Sequence, residues 1–369
     1  MENTAKIPVY AKLSLIVTGI LAFFYILYIG QSIVVPIVFA TIIAILLNPL
    51  VNFLCNKKVN RLLAIILVLT FAIILIAVLI YFIGSQLTMF NDSMPAFKQK
   101  FGALFNEILN WASSTFNIST IKIHAWIEKM KSEGMSNSSA VIGQTLGTIS
   151  GVLVLVFLLP VYVFMILFYK PLLLEFIARI FKRSKHGVVA EVLVETKTLI
   201  QSYLVGLLLE ATLVAILNSI GLLIIGLDYA ILIGIIGALL NIIPYIGGVV
   251  AIAIPMLLAI ATKSPIDALW VFVAYVIVQF IDNNFFVPKI VASKVKVNAL
   301  VSIIVVLIGG ALWGISGMFL SIPLTALIKV VFDRVESLSA FGFLIGDNQP
   351  EIGKVIFNFK KSAAKKGKP

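Results

Sequence analysis

Five stretches of this chain, at 13–29, 33–54, 62–83, 148–169 and 200–226, run for about 17 or more residues with few or no charges. A soluble core has no use for so many uninterrupted apolar segments. Each is long enough to cross the roughly 30 Å hydrocarbon layer of a bilayer as a helix. Backbone groups in lipid must pair within their own segment, so these runs read as helices despite their Ile and Val content. Composition agrees: 61% of residues are apolar and 12% charged, against about a quarter charged in soluble domains. The expected fold class is all-α, a polytopic helical integral membrane protein whose partner is the lipid bilayer.

Several function classes drop out early. The net charge is +12, but the basic residues sit in short loops and a tail between apolar runs. That is the distribution of membrane-protein cytoplasmic loops, so no nucleic acid partner is expected. Cys55 is the only cysteine, and His124 and His186 are the only histidines. With no H-E-x-x-H or C-x-x-C pattern, neither a metal site nor a cofactor is expected. There is no G-x-x-x-x-G-K-[ST] loop and no serine in a nucleophile elbow, so no catalytic residue is assigned and the chain is not expected to be an enzyme. The first apolar run resembles a signal peptide in length, but the second follows almost at once with no small-x-small cleavage site. It reads as a retained span.

The chain divides into five regions. Three N-terminal membrane helices fill 1–83, the first two expected as a hairpin turning at Gly30, Gln31 and Ser32, with Pro36 and Pro49 near the ends of the second. Region 84–147 is more polar, with Asn91, Asp92 and Ser93, then Ser136, Ser138 and Ser139. Its apolar residues recur at helical spacing: Met94, Phe97, Phe101, Leu104, Phe105 and Ile108, then Ile123, Trp126, Ile127 and Met130. It reads as an amphipathic extracytoplasmic insert whose helices pack together or lie on the membrane, with a binding cap as the alternative. Region 148–199 is the fourth span and a basic loop, 200–336 a C-terminal transport core, and 337–369 a basic tail ending in the lysine-rich 360–368. Lys6 and Lys12, Lys57, Lys58 and Arg61, and Lys170, Arg179, Lys182, Arg183 and Lys185 fall on one side if both termini are cytoplasmic.

In the last third, 228–262 and 299–332 are each about 34 apolar-rich residues, about 50 Å as a straight helix. Each is interrupted, by Pro244-Tyr245-Ile246-Gly247-Gly248 and by Gly309-Gly310 through Trp313-Gly314-Ile315-Ser316-Gly317, and each then meets Pro255 or Pro323. Two readings stand: long kinked spans, or re-entrant hairpins. Hairpins place Lys289, Lys294 and Lys296 inside and Lys263 outside, which suits the positive-inside tendency better. They also yield span plus hairpin twice over in opposite orientations, a recurrent transporter plan.

Polar residues within the apolar parts are few. Glu210 lies deep in the fifth span, and an ionised carboxylate there costs several kcal/mol unless it is paired or neutralised. It reads as a pathway group, or more plainly as a neutral acid bonded to a neighbouring helix. Gln279, Asp282 and Asn283 share a helix face by their i, i+3, i+4 spacing, and Asn284 follows. They suit a cation or a polyhydroxylated solute, or merely cap the helix. Asn241, Pro244, Gly247, Gly248 and Pro255 mark one hinge or broken helix, and Gly309, Gly310, Gly314, Gly317 and Pro323 the other. Unwound backbone at membrane depth is tolerated where it is buried or lines a wet cavity, while glycines also serve close helix packing.

These residues resemble the AI-2E family of permeases, which includes the autoinducer-2 exporters. The resemblance covers most of the chain. It rests on Pro244-Tyr245-Ile246-Gly247-Gly248 with Pro255, on Gln279-Phe280-Ile281-Asp282-Asn283-Asn284 with Pro288-Lys289, and on Gly309-Gly310 with Gly314, Gly317 and Pro323. Asn298-Ala299 departs from the family, where many members look to have a proline. The resemblance implies a multi-pass protein of the bacterial inner membrane that exports autoinducer-2 or a related small polar solute. Some members are similar to sodium(lithium)/proton antiporters, so a monovalent cation is the alternative cargo. The expectation is a gradient-driven secondary transporter acting as a homo-oligomer; a non-transporting oligomeric scaffold is the reading from another class.

Overall fold

The computed structural model describes residues 8–116, 138–244, 246–292 and 295–347. Residues 117–137 of the expected insert, with Ile123, Trp126, Ile127 and Met130, lie outside the described residues, as do Lys6, Tyr245, Lys294 and 348–369 of the basic tail. The elements are α1 (Val9–Ile29), α2 (Gln31–Asn56), α3 (Arg61–Phe116), α4 (Ser138–Ile180), α5 (His186–Ile225), α6 (Ala230–Asn241), α7 (Ile246–Thr262) and α8 (Pro265–Ile281). A π-helical segment (Asp282–Ala292), α9 (Ala299–Arg334) and α10 (Ser339–Ile345) follow. Among the described residues, seven helices are long and apolar enough to cross a membrane. The fold is all-α and polytopic.

Apolar runs mark where lipid touches a helix, not where its hydrogen-bond ladder stops. The α3 helix therefore does not break at Gly84. It continues for 56 residues, about 84 Å at 1.5 Å per residue, well beyond the bilayer core. By the same logic α4 starts at Ser138 and α5 at His186, both ahead of their apolar runs. The expected hairpin of the first two spans does not form. A single residue, Gly30 (φ −79°, ψ 7°), joins α1 to α2. The Gly30 N–H donates to Ile26 O at 2.8 Å and the Val34 N–H to Gly30 O at 2.9 Å, so the chain bends there and the ladder runs on. No α1 residue is buried.

Small residues on α2 let α3 and α4 approach closely. Ala40, Ala44, Ala64, Ile65 and Val163 form one buried cluster. Polar side chains tie one end of this bundle. Arg61 donates to Leu167 O at 2.7 Å, Lys170 Nζ to Asn48 Oδ1 at 2.9 Å, and Gln201 Nε2 to Ile45 O at 2.6 Å. The cations after α2 and those along the end of α4 thus gather at the same end of the molecule as the start of α5.

Both interrupted segments are helical hairpins. In the first, Lys263 Nζ, just past α7, donates to Ile225 O at the end of α5 at 2.7 Å. Leu222 and Leu227 pack with Leu258 and Ala259. Its mouth therefore sits at the C-terminal end of α5. In the second, α9 is two arms, 299–312 and 315–334, separated by non-helical Trp313 and Gly314 (φ 60°, ψ −140°). The Gly309 and Gly317 backbones touch, and a Cβ on either would overlap the other's carbonyl. In one straight helix those residues would stand about 12 Å apart. At the far end of α9, Arg334 pairs with Glu191 and with Glu195 (2.9 Å) near the start of α5. The two hairpins enter from opposite ends of α5.

Candidate functional site

α5 is the post on which the site is built, because its buried face repeats at helical spacing: Tyr203, Leu207, Glu210, Val214 and Asn218. Around its middle lies a cavity of about 620 Å³, lined by the tip of the first hairpin, the end of α8, the π-helical segment and the arms of the second hairpin. Glu210 lines it and is 7% exposed, although its neighbours Leu208 and Leu209 face outward.

Asp282 is 1% exposed and opens the π-helical segment. That segment forms where Pro288 lacks the N–H that would bond the Asn284 carbonyl, so the ladder loosens to the wider helix. Asn241, the last residue of α6, donates from Nδ2 to Asp282 Oδ2 at 2.9 Å. Asp282 Oδ1 is buried with no hydrogen-bond partner among the described residues. Gln279 Nε2 donates to Asn283 Oδ1 at 3.3 Å, one turn apart. Glu210 and Asp282 stand within electrostatic range of each other. No Lys, Arg or His is among the described residues that line the cavity. The site is thus an acid- and amide-bearing chamber in an apolar bundle, suited to cations and to neutral hydrogen-bonding solutes.

Of the residues singled out from sequence, Glu210, Gln279, Asp282 and Asn283 meet in this chamber, and so do Asn241, Pro244 and Gly248. Asn284 does not. One residue on from Asn283 it is turned away from the chamber, and its amide bonds the Phe280 carbonyl at 2.8 Å. Gly247 packs on the Leu240 carbonyl in the hairpin turn, and Pro255 is buried within α7. Gly309, Gly310, Gly314 and Gly317 shape the tip and arm contact of the second hairpin rather than the chamber wall, and Pro323 is buried in its second arm.

Sequence reasoning missed Ser302 and Val295 on the chamber wall. It also missed the buried pair Asn218 and Tyr275, two turns from Glu210 and from Asp282. Tyr275 Oη and Asn218 Nδ2 both press toward Gly237, while Tyr275 Oη and Asn218 Oδ1 lack partners among the described residues. The i+4 steps 210, 214, 218 were the available signal.

Two opposed hairpins set against through-going helices, with a polar chamber at their meeting, define a polytopic membrane protein of the broken-helix transporter type. The chain belongs to the AI-2E transporter family, whose model matches residues 17–337. It is 26% identical over 312 residues to YueF of Bacillus subtilis (strain 168), which bears a transport-protein name; the match covers 82% of this chain and 84% of YueF. It is 30% identical over 213 residues to PerM of Escherichia coli (strain K12), which bears a permease name, covering 57% of this chain and 60% of PerM. It is also 24% identical over 332 residues to TqsA of Escherichia coli (strain K12), named an AI-2 transport protein, covering 87% and 92%.

Proposed function

We propose that this protein is a gradient-driven secondary transporter of the bacterial inner membrane. It exports a small, neutral, hydroxyl-rich solute through the chamber between α5, the first hairpin and the π-helical segment. One observation carries the reading: within an apolar bundle, Glu210, Asp282, Asn241, Gln279 and Asn283 converge on one cavity of about 620 Å³. That volume is typical of small-molecule sites. The name of TqsA lends the substrate class, autoinducer-2 or a similar polyol. Asp282 and Asn241 would accept and donate hydrogen bonds to hydroxyls, while Glu210 supplies a second acceptor across the chamber. The positive-inside tendency favours a cytoplasmic location for the basic end of the bundle.

The test is solute flux in proteoliposomes, wild type against Asp282→Asn, over a panel of polyols and monovalent cations. Export of one polyol class, reduced about tenfold or more by the variant, is expected, since one hydrogen bond to a charged group is worth about 1.5–3 kcal/mol. Equal flux in both proteins for every transported solute would overturn the assignment. A second reading, monovalent cation/proton antiport, is favoured by two carboxyl groups sharing one chamber. In that case Glu210→Gln abolishes the pH dependence of cation flux; flux indifferent to pH and to this change rules it out.

A further inference from the structure

We propose that Val295 is the permeation-determining residue, an apolar plug between the acidic chamber and a second, charged compartment at the basic end of the molecule. This rests on the transport reading above and goes beyond it, because it says where the route is closed. The second compartment is a vestibule of about 750 Å³ lined by Glu191, Glu195, Lys296, Lys329, Asp333 and Arg334. Val295 lines both compartments. The wall around it is dry: Ile200, Tyr203, Leu320 and Ala326 pack with Val295 in one cluster, and each is 5% exposed or less. Tyr203 borders the chamber and Ala326 the vestibule, so this cluster is the partition. A constriction of apolar side chains stops hydrated solutes by excluding water, without needing a physical lid.

Val295 is helical, and the chain leaves the helix immediately after it. Lys296 adopts a left-handed conformation (φ 47°), which an L-residue keeps only when its surroundings hold it there. The holding segment is the end of α10 and the two residues after it. Val297 bridges Gly346 in antiparallel fashion, the Asn298 N–H donates to Ile345 O at 3.0 Å, and the Asp347 N–H to Lys296 O at 3.1 Å. Asn298 adds its side chain: Nδ2 donates to Leu344 O at 2.6 Å and Gly346 O at 3.2 Å, while Oδ1 caps α9 at the Val301 N–H. A proline at position 298 could offer none of these bonds. The plug is thus the helical residue just ahead of a strained turn, and that turn is clipped by a few hydrogen bonds to the C-terminal segment.

The test is accessibility in the full-length protein, which needs no knowledge of the substrate. In a Cys55→Ser background, Ser202→Cys reports on the vestibule and establishes the membrane face on which it opens. Ser302→Cys reports on the chamber. A charged, membrane-impermeant methanethiosulfonate is then applied from the vestibule face alone. With Val295 in place the chamber reporter should react at least about tenfold more slowly than the vestibule reporter, as a dewetted constriction requires. Val295→Gly should close that gap and Val295→Leu should keep it, with Val295→Ala taking the place of the glycine variant if the latter does not fold. Equal rates with Val295 present, or a gap that survives both smaller side chains, would overturn the proposal. If the gap behaves as expected but no solute moves, the plug stands and the transport assignment falls.

Discussion

Asp282 is satisfied on one side only. Its Oδ2 receives the Asn241 amide, and its Oδ1 has no partner among the described residues. Replacing Asn241 with Leu strands the second oxygen as well, so stability should fall by about 1–3 kcal/mol, the cost of a buried polar group left unpaired. A lower midpoint in a detergent thermal melt is the expected outcome; an unchanged midpoint would mean that water already serves Asp282. Tyr275 makes the opposite case, because its hydroxyl has no partner to lose among the described residues. Tyr275→Phe should leave the melting midpoint unchanged or raise it, and a clear drop would reveal a bound water shared with Asn218. At this scale the sequence was a partial guide. Rare polar residues in apolar runs pointed to Glu210, Gln279, Asp282 and Asn283, since lipid makes such residues costly. Val295 carried no such mark: a valine among valines gains its role from which two spaces it separates, and no local pattern encodes that.

At the scale of elements, the two broken segments were legible because Gly and Pro interrupt runs too long to cross a bilayer once. Opposed hairpins were one of two readings, and the contact of Gly309 with Gly317 decides for the folded-back form. That contact predicts a contrast between neighbouring glycines. Gly317→Val places a side chain where the Gly309 carbonyl stands, overpacking the arms at a cost of about 1–3 kcal/mol and eroding the folded peak in size-exclusion chromatography. Gly314→Ala meets no atom within 4 Å but must hold φ 60°. It should keep the folded peak and lose only melting temperature. Other features were not legible for a shared reason. The bend at Gly30, the run of α3 through Gly84 and the early start of α5 all depend on hydrogen-bond ladders, and hydropathy does not register a ladder.

For the whole molecule, the opposed hairpins assign charges to ends. The mouth of the first, at Lys263, lies at the end of α5 away from the cation-rich end that holds Lys182 and Arg334. In the proposed orientation, an impermeant thiol reagent added to intact cells should label Lys263→Cys and spare Lys182→Cys, both in the Cys55→Ser background. The reverse pattern would invert the topology, and labelling of both or neither would contradict the two-ended arrangement. The hairpin geometry also bears on selectivity. A lone half-helix points one terminus of its macrodipole at a ligand, about half an elementary charge. At a hairpin tip one arm finishes where the other begins, so the partial negative end of α6 lies beside the partial positive start of α7 and their fields largely cancel. The sign of the potential in the chamber is then left to the side chains, which are carboxyl groups and amides with no cation among the described lining residues. Among solutes of equal size, anions should rank last.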